Sequence, residues 1–156
     1  MGAAKCLIQE FKYQDRPYLA KSLAAFLLLQ FEKLEWPQPD SIVFIPQSFS
    51  RWIDRGYNQS KLLAIELGRL LQVDVSDVLK KTDSHISQTL LELKDRKRLS
   101  SRAFSLKDGS SLEDKVILLI DDVYTTGTTI EKAAYALQEG HPKRIYALTL
   151  CRAVHD

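Results

Sequence analysis

"VILLIDDVYTTGTTIEKAA" occupies residues 116–134 and joins a strand pattern to a helix pattern through a polar junction. Five apolar residues, Val116–Ile120, come first and are typical of a buried strand. Asp121 and Asp122 follow directly, and a run of threonines surrounds Gly127 before the helix pattern begins. Because a buried carboxylate is costly unless something stabilises it, the two adjacent aspartates indicate a binding site.

On either side of this stretch, predicted helices and strands alternate. In chain order they are a helix from Pro17 to about Glu35, a strand at Ser41–Pro46, a helix capped by Asn58, a short strand at Asp77–Lys81, a helix from Thr128 to Glu139 that Gly140 stops, and a strand at Arg144–Cys151. Residues 82–101 predict a partly ordered loop that becomes helical. The alternation implies right-handed crossovers, and the predicted fold class is α/β, with a mainly parallel central sheet flanked by helices.

Composition limits the classes of protein that fit. The chain has 156 residues, which suits one domain, and a net charge of +2, which is too near neutral to indicate a nucleic-acid protein by itself. Cys6 and Cys151 form no metal-binding pattern and are read as reduced thiols of a cytosolic protein. The N-terminus lacks a signal pattern, and the apolar run Leu23–Leu29 is too short to insert in a membrane. We expect a cytoplasmic protein without membrane insertion.

The residues after the strand indicate the chemistry of the ligand. In open α/β sheets, ligands bind beyond the carboxyl ends of the strands, where Asp121 and Asp122 fall. Gly127 allows the loop Thr125–Thr129 to point successive N–H groups at one anion, and the helix behind it adds its positive end. A diol for the carboxylates and a phosphate for the loop occur together in a ribose 5-phosphate. The Walker A and Gly-x-Gly-x-x-Gly patterns of other nucleotide-binding proteins are absent from the sequence.

The stretch VILLIDDVYTTGTT resembles the phosphoribosyl pyrophosphate (PRPP) signature of the type I phosphoribosyltransferases. This resemblance implies that Asp121 and Asp122 bind the ribose hydroxyls and that Thr125, Thr126, Gly127, Thr128 and Thr129 bind the 5-phosphate. Two further blocks, RWIDRGYNQSKLLAIEL and DRKRLSSRAF, are similar to the ComF (competence protein F) family. The resemblance covers nearly all of the chain, with a helical or hood segment at about 1–40 and the core at about 41–156.

The chain departs from the ComF pattern in its presumed mobile segment. Lys81 replaces a family Arg, His85 a family Thr, and Leu99 a family Asn. Many ComF proteins also carry an N-terminal zinc module, and this chain begins after that position, so no zinc is implied. These departures concern the substrate and the rate rather than PRPP binding.

Other polar residues have a functional and a structural interpretation. Gln47 and Ser48 follow the first core strand, where type I enzymes place a pyrophosphate-binding loop; an ordinary turn fits them equally well. Arg51 and Arg55 suit diphosphate oxygens because guanidinium groups bind phosphate bidentately, although solvated surface arginines are equally consistent.

A basic cluster at Lys94–Arg102 has three interpretations. As a mobile lid it would close cations over the leaving pyrophosphate and exclude water, and we assign Lys81, Arg96 and Lys97 this catalytic role. As a strip of exposed cations it would contact single-stranded nucleic acid. The third interpretation is a solvated basic face of a helix.

The leading hypothesis is a phosphoribosyltransferase that displaces pyrophosphate from PRPP with a nitrogen nucleophile. Mg²⁺ would be bound through PRPP, with no direct protein ligand. The alternative is a non-catalytic PRPP sensor or a single-stranded DNA-binding protein of the competence (DNA uptake) machinery. The acceptor base and the oligomeric state, a homodimer included, stay open at this stage.

Overall fold

The apolar run of residues 116–120 forms the centre of a parallel sheet. The structure is a computed structural model and describes residues 17–48, 56–82 and 103–153. In chain order the elements are α1 (Leu19–Lys33), β1 (Ser41–Phe44), α2 (Gln59–Leu71), β2 (Val75–Ser76), β3 (Leu79–Lys81), β4 (Phe104–Leu106), β5 (Val116–Tyr124), α3 (Thr128–Gln138) and β6 (Arg144–Arg152).

The central sheet has the strand order β2–β1–β5–β6, and each neighbouring pair is parallel. Helix α2 connects β1 to β2, and α3 connects β5 to β6, as parallel neighbours require. The predicted fold class, α/β with a mainly parallel sheet flanked by helices, is confirmed.

Both faces of β5 are buried, which explains why its sequence is a continuous apolar run rather than an alternation. Leu118 and Ile120 pack on the side of α1 and α2, whereas Ile117 and Leu119 pack on the side of α3. All four side chains have 0% exposure. The strand is therefore packed on both faces up to the residue that precedes Asp121.

The predicted helices lie where the sequence indicated. Asn58 caps α2, and its side chain accepts a hydrogen bond from the Lys61 N–H at 3.0 Å. Helix α3 ends at Gln138, near the predicted stop, but Gly140 is not the residue with left-handed backbone. His141 takes that conformation, with φ of 55°, while a Cβ at Gly140 would lie 3.1 Å from Leu112. Gly140 is thus required for close packing rather than for a left-handed turn.

The predicted strand Asp77–Lys81 is wrong in its bounds. Val75–Ser76 pairs with β1 in the central sheet, whereas Leu79–Lys81 pairs with Phe104–Leu106 in a separate antiparallel sheet of two strands. Leu79 is buried beneath α3, and this packing separates β3 from β2. The predicted loop at 82–101 lies outside the described residues from position 83 onward.

Candidate functional site

The site begins where β5 outlasts its neighbour β1. The last paired residues of these strands are Phe44 and Ile120, yet β5 continues to Tyr124, where it pairs with Arg152 of β6. The sequence predicted that the strand ends at Ile120. In the structure it continues to Tyr124, and Asp121 and Asp122 therefore lie on the strand rather than after it. Pairing of Asp121 with Thr149 fixes this part of β5 against β6, and both aspartates line the space beyond the carboxyl end of β1.

A cavity of about 380 Å³ occupies this space, a volume that suits a small polar ligand. Its walls come from four parts of the chain: the end of β1 with the residues after it, the start of α2, the β3–β4 pair, and the β5–α3 junction. The lining residues are Ile45, Pro46, Gln47, Asn58, Gln59, Ser60, Lys81, Phe104, Asp121, Asp122, Val123, Thr125 and Thr129.

Asp121 is the most unusual group in the cavity because it is an acid with only 8% exposure. Its Oδ1 accepts hydrogen bonds from Ser60 Oγ at 3.0 Å and from the Asp122 N–H at 2.9 Å. Burial, followed by repulsion from Asp122, raises the pKa of Asp121 to about 6, and these two hydrogen bonds offset only part of the effect. A ligand that donates hydrogen bonds here would stabilise the ionised pair.

The threonine loop starts α3 without a side-chain cap. Gly127 is the N-cap residue, with φ of 84°, and it has no side chain with which to cap the helix. The left-handed φ favours glycine here, and a Cβ at this position would lie 2.7 Å from the Tyr124 hydroxyl, so the Tyr124 ring would have to shift. The Thr126 and Thr128 hydroxyls lie 2.9 Å apart and bond to each other. The helix start therefore leaves N–H groups and a positive dipole end open to an anion.

The predicted phosphate-binding residues differ in their relation to the cavity. Thr125 and Thr129 line it from the two ends of the loop. Among the described residues, Thr126, Gly127 and Thr128 are not part of the cavity wall. The four threonines are exposed, as a loop that receives a ligand from solvent requires.

The residues predicted to bind or stabilise the diphosphate are only partly described. Gln47 lines the cavity and donates its Nε2 to the Tyr57 carbonyl at 2.8 Å, while Ser48 is half-buried one residue further on. Lys81 lines the cavity from β3, together with Phe104 from β4. Several predicted residues lie outside the described part of the chain. They are the cations Arg51, Arg55, Arg96 and Lys97 and the departures from the family pattern at His85 and Leu99.

Sequence analysis missed the contribution of α2 to the cavity. Asn58 was interpreted as a helix cap only, and Gln59 and Ser60 were given no role, yet all three line the cavity. Gln59 has 3% exposure, and its Nε2 finds no hydrogen-bond partner within the described part of the chain. The one available signal was the motif itself, since these residues belong to the RGYNQS block that carries the family resemblance.

The described ranges contain neither a cluster of metal-binding side chains nor a membrane-spanning helix. Within them, no three His, Cys, Asp or Glu side chains come together as a metal site. No helix there has both the length and the apolar character needed to cross a membrane.

Comparison with known proteins shows the family to which this chain belongs. Residues 54–156 match the phosphoribosyl transferase domain family. Competence protein F of Haemophilus influenzae is 31% identical over 153 residues, which cover 94% of this chain and 67% of that protein. The chain belongs to the ComF family. Another relative, the DNA utilization protein YhgH of Escherichia coli, is 31% identical over 95% of this chain and 66% of its own length.

The chain thus spans about two thirds of the length of these ComF relatives. The fold is shared more widely than the sequence. A crystal structure of adenine phosphoribosyltransferase superimposes with a TM-score of 0.57 at 18% identity, covering 88% of this chain and 71% of that enzyme. At that identity the comparison supports the fold alone. Within it, Asn58, Gln59 and Ser60 of the RGYNQS stretch lie at the start of α2 and line the cavity.

Proposed function

We propose that this protein binds PRPP and transfers its phosphoribosyl group to a nitrogen nucleophile. The observation that carries the proposal is the juxtaposition of a buried acid pair and an uncapped helix start at one cavity. Carboxylates accept hydrogen bonds from a diol, and open N–H groups bind a phosphate. A 5-phosphorylated ribose carries both groups within the reach of one cavity.

Each wall would have a separate task in the transfer. Asp121 and Asp122 accept hydrogen bonds from the ribose hydroxyls, and the loop Thr125–Thr129 binds the 5-phosphate. Gln47 and Lys81 lie on the cavity wall available to the diphosphate. The bond from C1 of the ribose to the diphosphate oxygen breaks, the C1–N bond forms, and the nitrogen releases its proton to solvent. The protein contributes positioning and charge stabilisation, with no covalent intermediate.

The donor set also suits Mg²⁺ carried by the ligand. Mg²⁺ usually binds to substrate phosphates and keeps several waters, with few protein oxygens. The cavity offers two adjacent carboxylates, and the described residues form no cluster of three metal-binding side chains. This arrangement fits an ion that arrives with the diphosphate and neutralises its charge, rather than one held in a protein cage.

A pyrophosphate-release assay with PRPP and Mg²⁺ tests the transfer, with a panel of purine and pyrimidine bases as acceptors. We expect release that requires one acceptor and that falls at least a hundredfold in Asp121→Asn/Asp122→Asn, because each lost charged hydrogen bond contributes about 1.5–3 kcal/mol. Release that is equal in the double variant would contradict the assignment of the acid pair.

A DNA-binding role is the second candidate, and the names of the relatives favour it. Competence protein F and the DNA utilization protein YhgH are both named for DNA handling. The predicted contact is the basic cluster Lys94–Arg102, which lies outside the described residues. Binding of single-stranded DNA should weaken steeply with salt and be lost when Arg96, Lys97 and Arg98 are changed to alanine. Unchanged DNA affinity in that triple variant would exclude the cluster as the contact.

A further inference from the structure

The first turn of α2 contains a buried hydrogen-bond donor that the described fold does not use. Gln59 is the first residue of the helix, is 3% exposed, and lines the cavity. Its Nε2 has no hydrogen-bond partner among the described residues. Since buried polar groups are nearly always bonded, a donor left over beside a cavity points to an acceptor supplied by a ligand.

The side chains on either side of Gln59 form hydrogen bonds within the protein. Asn58 accepts from the Lys61 N–H at 3.0 Å and donates its Nδ2 to the Ile45 carbonyl at 3.0 Å. Ser60 donates to Asp121 Oδ1 at 3.0 Å. These bonds fix the first turn of α2 against the residue after β1 and against β5. Gln59 is thereby held on the wall of the same cavity as the acid pair, and its Nε2 has no partner in the described part of the chain.

The wall that Gln59 shares with Ser60 and Asp121 restricts the acceptor. A diphosphate oxygen placed there would be repelled by the carboxylate, whereas a neutral hydroxyl is compatible with it. A hydroxyl has one proton to donate and two lone pairs that accept. The same sugar hydroxyl can therefore donate to an aspartate and accept from Gln59. The terminal torsion of glutamine is broad, which lets the carboxamide turn toward the cavity.

We propose that Gln59 completes the sugar-hydroxyl subsite. Its Nε2 donates a hydrogen bond to a ribose hydroxyl, and that hydroxyl donates a hydrogen bond to Asp121 or Asp122. This inference rests on the proposed function, because it assigns one more contact at the same site. It makes the first turn of α2 a recognition element as well as a structural one.

Calorimetric titration of three proteins tests the contact: wild type, Gln59→Met and the control Gln138→Met on the exposed end of α3. The probes are PRPP with Mg²⁺ and ribose 5-phosphate, the latter titrated directly or by displacement of PRPP. Met keeps the length of the side chain but removes the donor. We expect Gln59→Met to lower the affinity for both ligands by a similar factor, roughly fivefold to tenfold for one hydrogen bond. Gln138→Met should change neither affinity.

Thermal unfolding of the free proteins distinguishes binding from a structural role. Removing an unused buried donor should leave the Tm of Gln59→Met equal to or above that of the wild type. A lower Tm with unchanged affinities would overturn the inference and make Gln59 structural. A loss confined to PRPP would also overturn it, by moving the contact to the diphosphate. If the wild type binds neither ligand, the proposed function itself fails, an outcome distinct from wild-type binding that Gln59→Met leaves intact.

Discussion

Helices α2 and α3 start at the same edge of the sheet, but their first turns are capped differently. Helix α2 begins after Asn58, whose backbone is extended and whose side chain caps the Lys61 N–H. Helix α3 begins after Gly127, whose backbone is left-handed and which provides no side-chain cap. At the start of α3 the Thr128 N–H makes only a long contact, 3.5 Å, with Thr126 Oγ1.

The difference separates stability from binding. A capped start satisfies its own N–H groups and contributes to folding, whereas an uncapped start leaves N–H groups and a dipole end for a ligand. Evidence that α2 is nevertheless part of the site comes from side chains, because Gln59 and Ser60 line the cavity next to the cap. The acid pair lines the same cavity as residues from both helix starts, so one ligand could contact all three.

A side chain at Gly127 should disrupt the open start of α3 most strongly. Gly127→Val combines a disfavoured φ of 84° with a Cβ 2.7 Å from the Tyr124 hydroxyl. We expect the free energy of unfolding to fall by about 2–5 kcal/mol and PRPP affinity to be lost. Chemical denaturation and calorimetry measure the two effects.

Gly109→Val is the matched control, since Gly109 has φ of 76° but nothing within 4 Å of an added Cβ. This variant should show only the backbone cost, about 1–2 kcal/mol, with normal ligand affinity. If Gly127→Val behaves like Gly109→Val in both measurements, close packing at the start of α3 is not required for the site.

Removing the charge at Asp121 should stabilise the free protein while it weakens binding. The pKa of Asp121 is raised from 3.8 to about 6, so the native state binds more protons than the unfolded state between these values, and stability falls as pH rises through them. Above pH 6 the ionised carboxylate therefore destabilises the fold by roughly 3 kcal/mol. Asp121→Asn keeps an oxygen that can accept from Ser60 and should recover most of this free energy.

The pH dependence of this difference makes the test specific. Denaturation of the wild type and Asp121→Asn should show the full difference at pH 7 and little difference below about pH 4, where the carboxyl is neutral in both states. A difference that does not change between these pH values would contradict the raised pKa. Unfolding of the free protein is the better measurement because phosphate groups of a ligand titrate near pH 6 themselves.

Changes at Asn58 should have the smallest effect and act mainly on stability. Asn58→Ala removes the cap of α2 and the bond to the Ile45 carbonyl, and we expect a loss of about 1–2 kcal/mol in the free energy of unfolding. Asn58→Ser keeps a capping oxygen and lacks the amide that bonds the Ile45 carbonyl, so it should recover the part that belongs to the cap. Equal losses in both variants would show that the Ile45 bond, rather than the cap, stabilises this helix start.

Local sequence patterns predicted the parts of the fold that depend on neighbouring residues. The apolar run before Asp121 predicted a buried strand, and Asn58 predicted a helix cap; both are confirmed. The extension of β5 to Tyr124 was not predictable in this way, because it depends on pairing with β6 nearly thirty residues later along the chain. The same holds for β3, whose antiparallel partner β4 begins more than twenty residues later along the chain.

The candidate site shows the same limit. Asp121, Asp122 and the threonine loop are adjacent in sequence, so their common role could be inferred from one motif. Gln59 was missed because a polar residue at a helix start usually faces solvent. Its burial depends on how α2 docks on the sheet, where the neighbours Asn58 and Ser60 bond to Ile45 and Asp121. Lys81 reaches the same cavity only through the placement of β3.

Calorimetric titration of PRPP with Mg²⁺ into the wild type and Asp121→Asn/Asp122→Asn is the most direct test of the acid pair beside the open helix start. We expect the wild type to bind with measurable heat and the double variant to show no binding while remaining folded. Equal affinities in the two proteins, or no binding to the folded wild type, would contradict a PRPP site at this cavity.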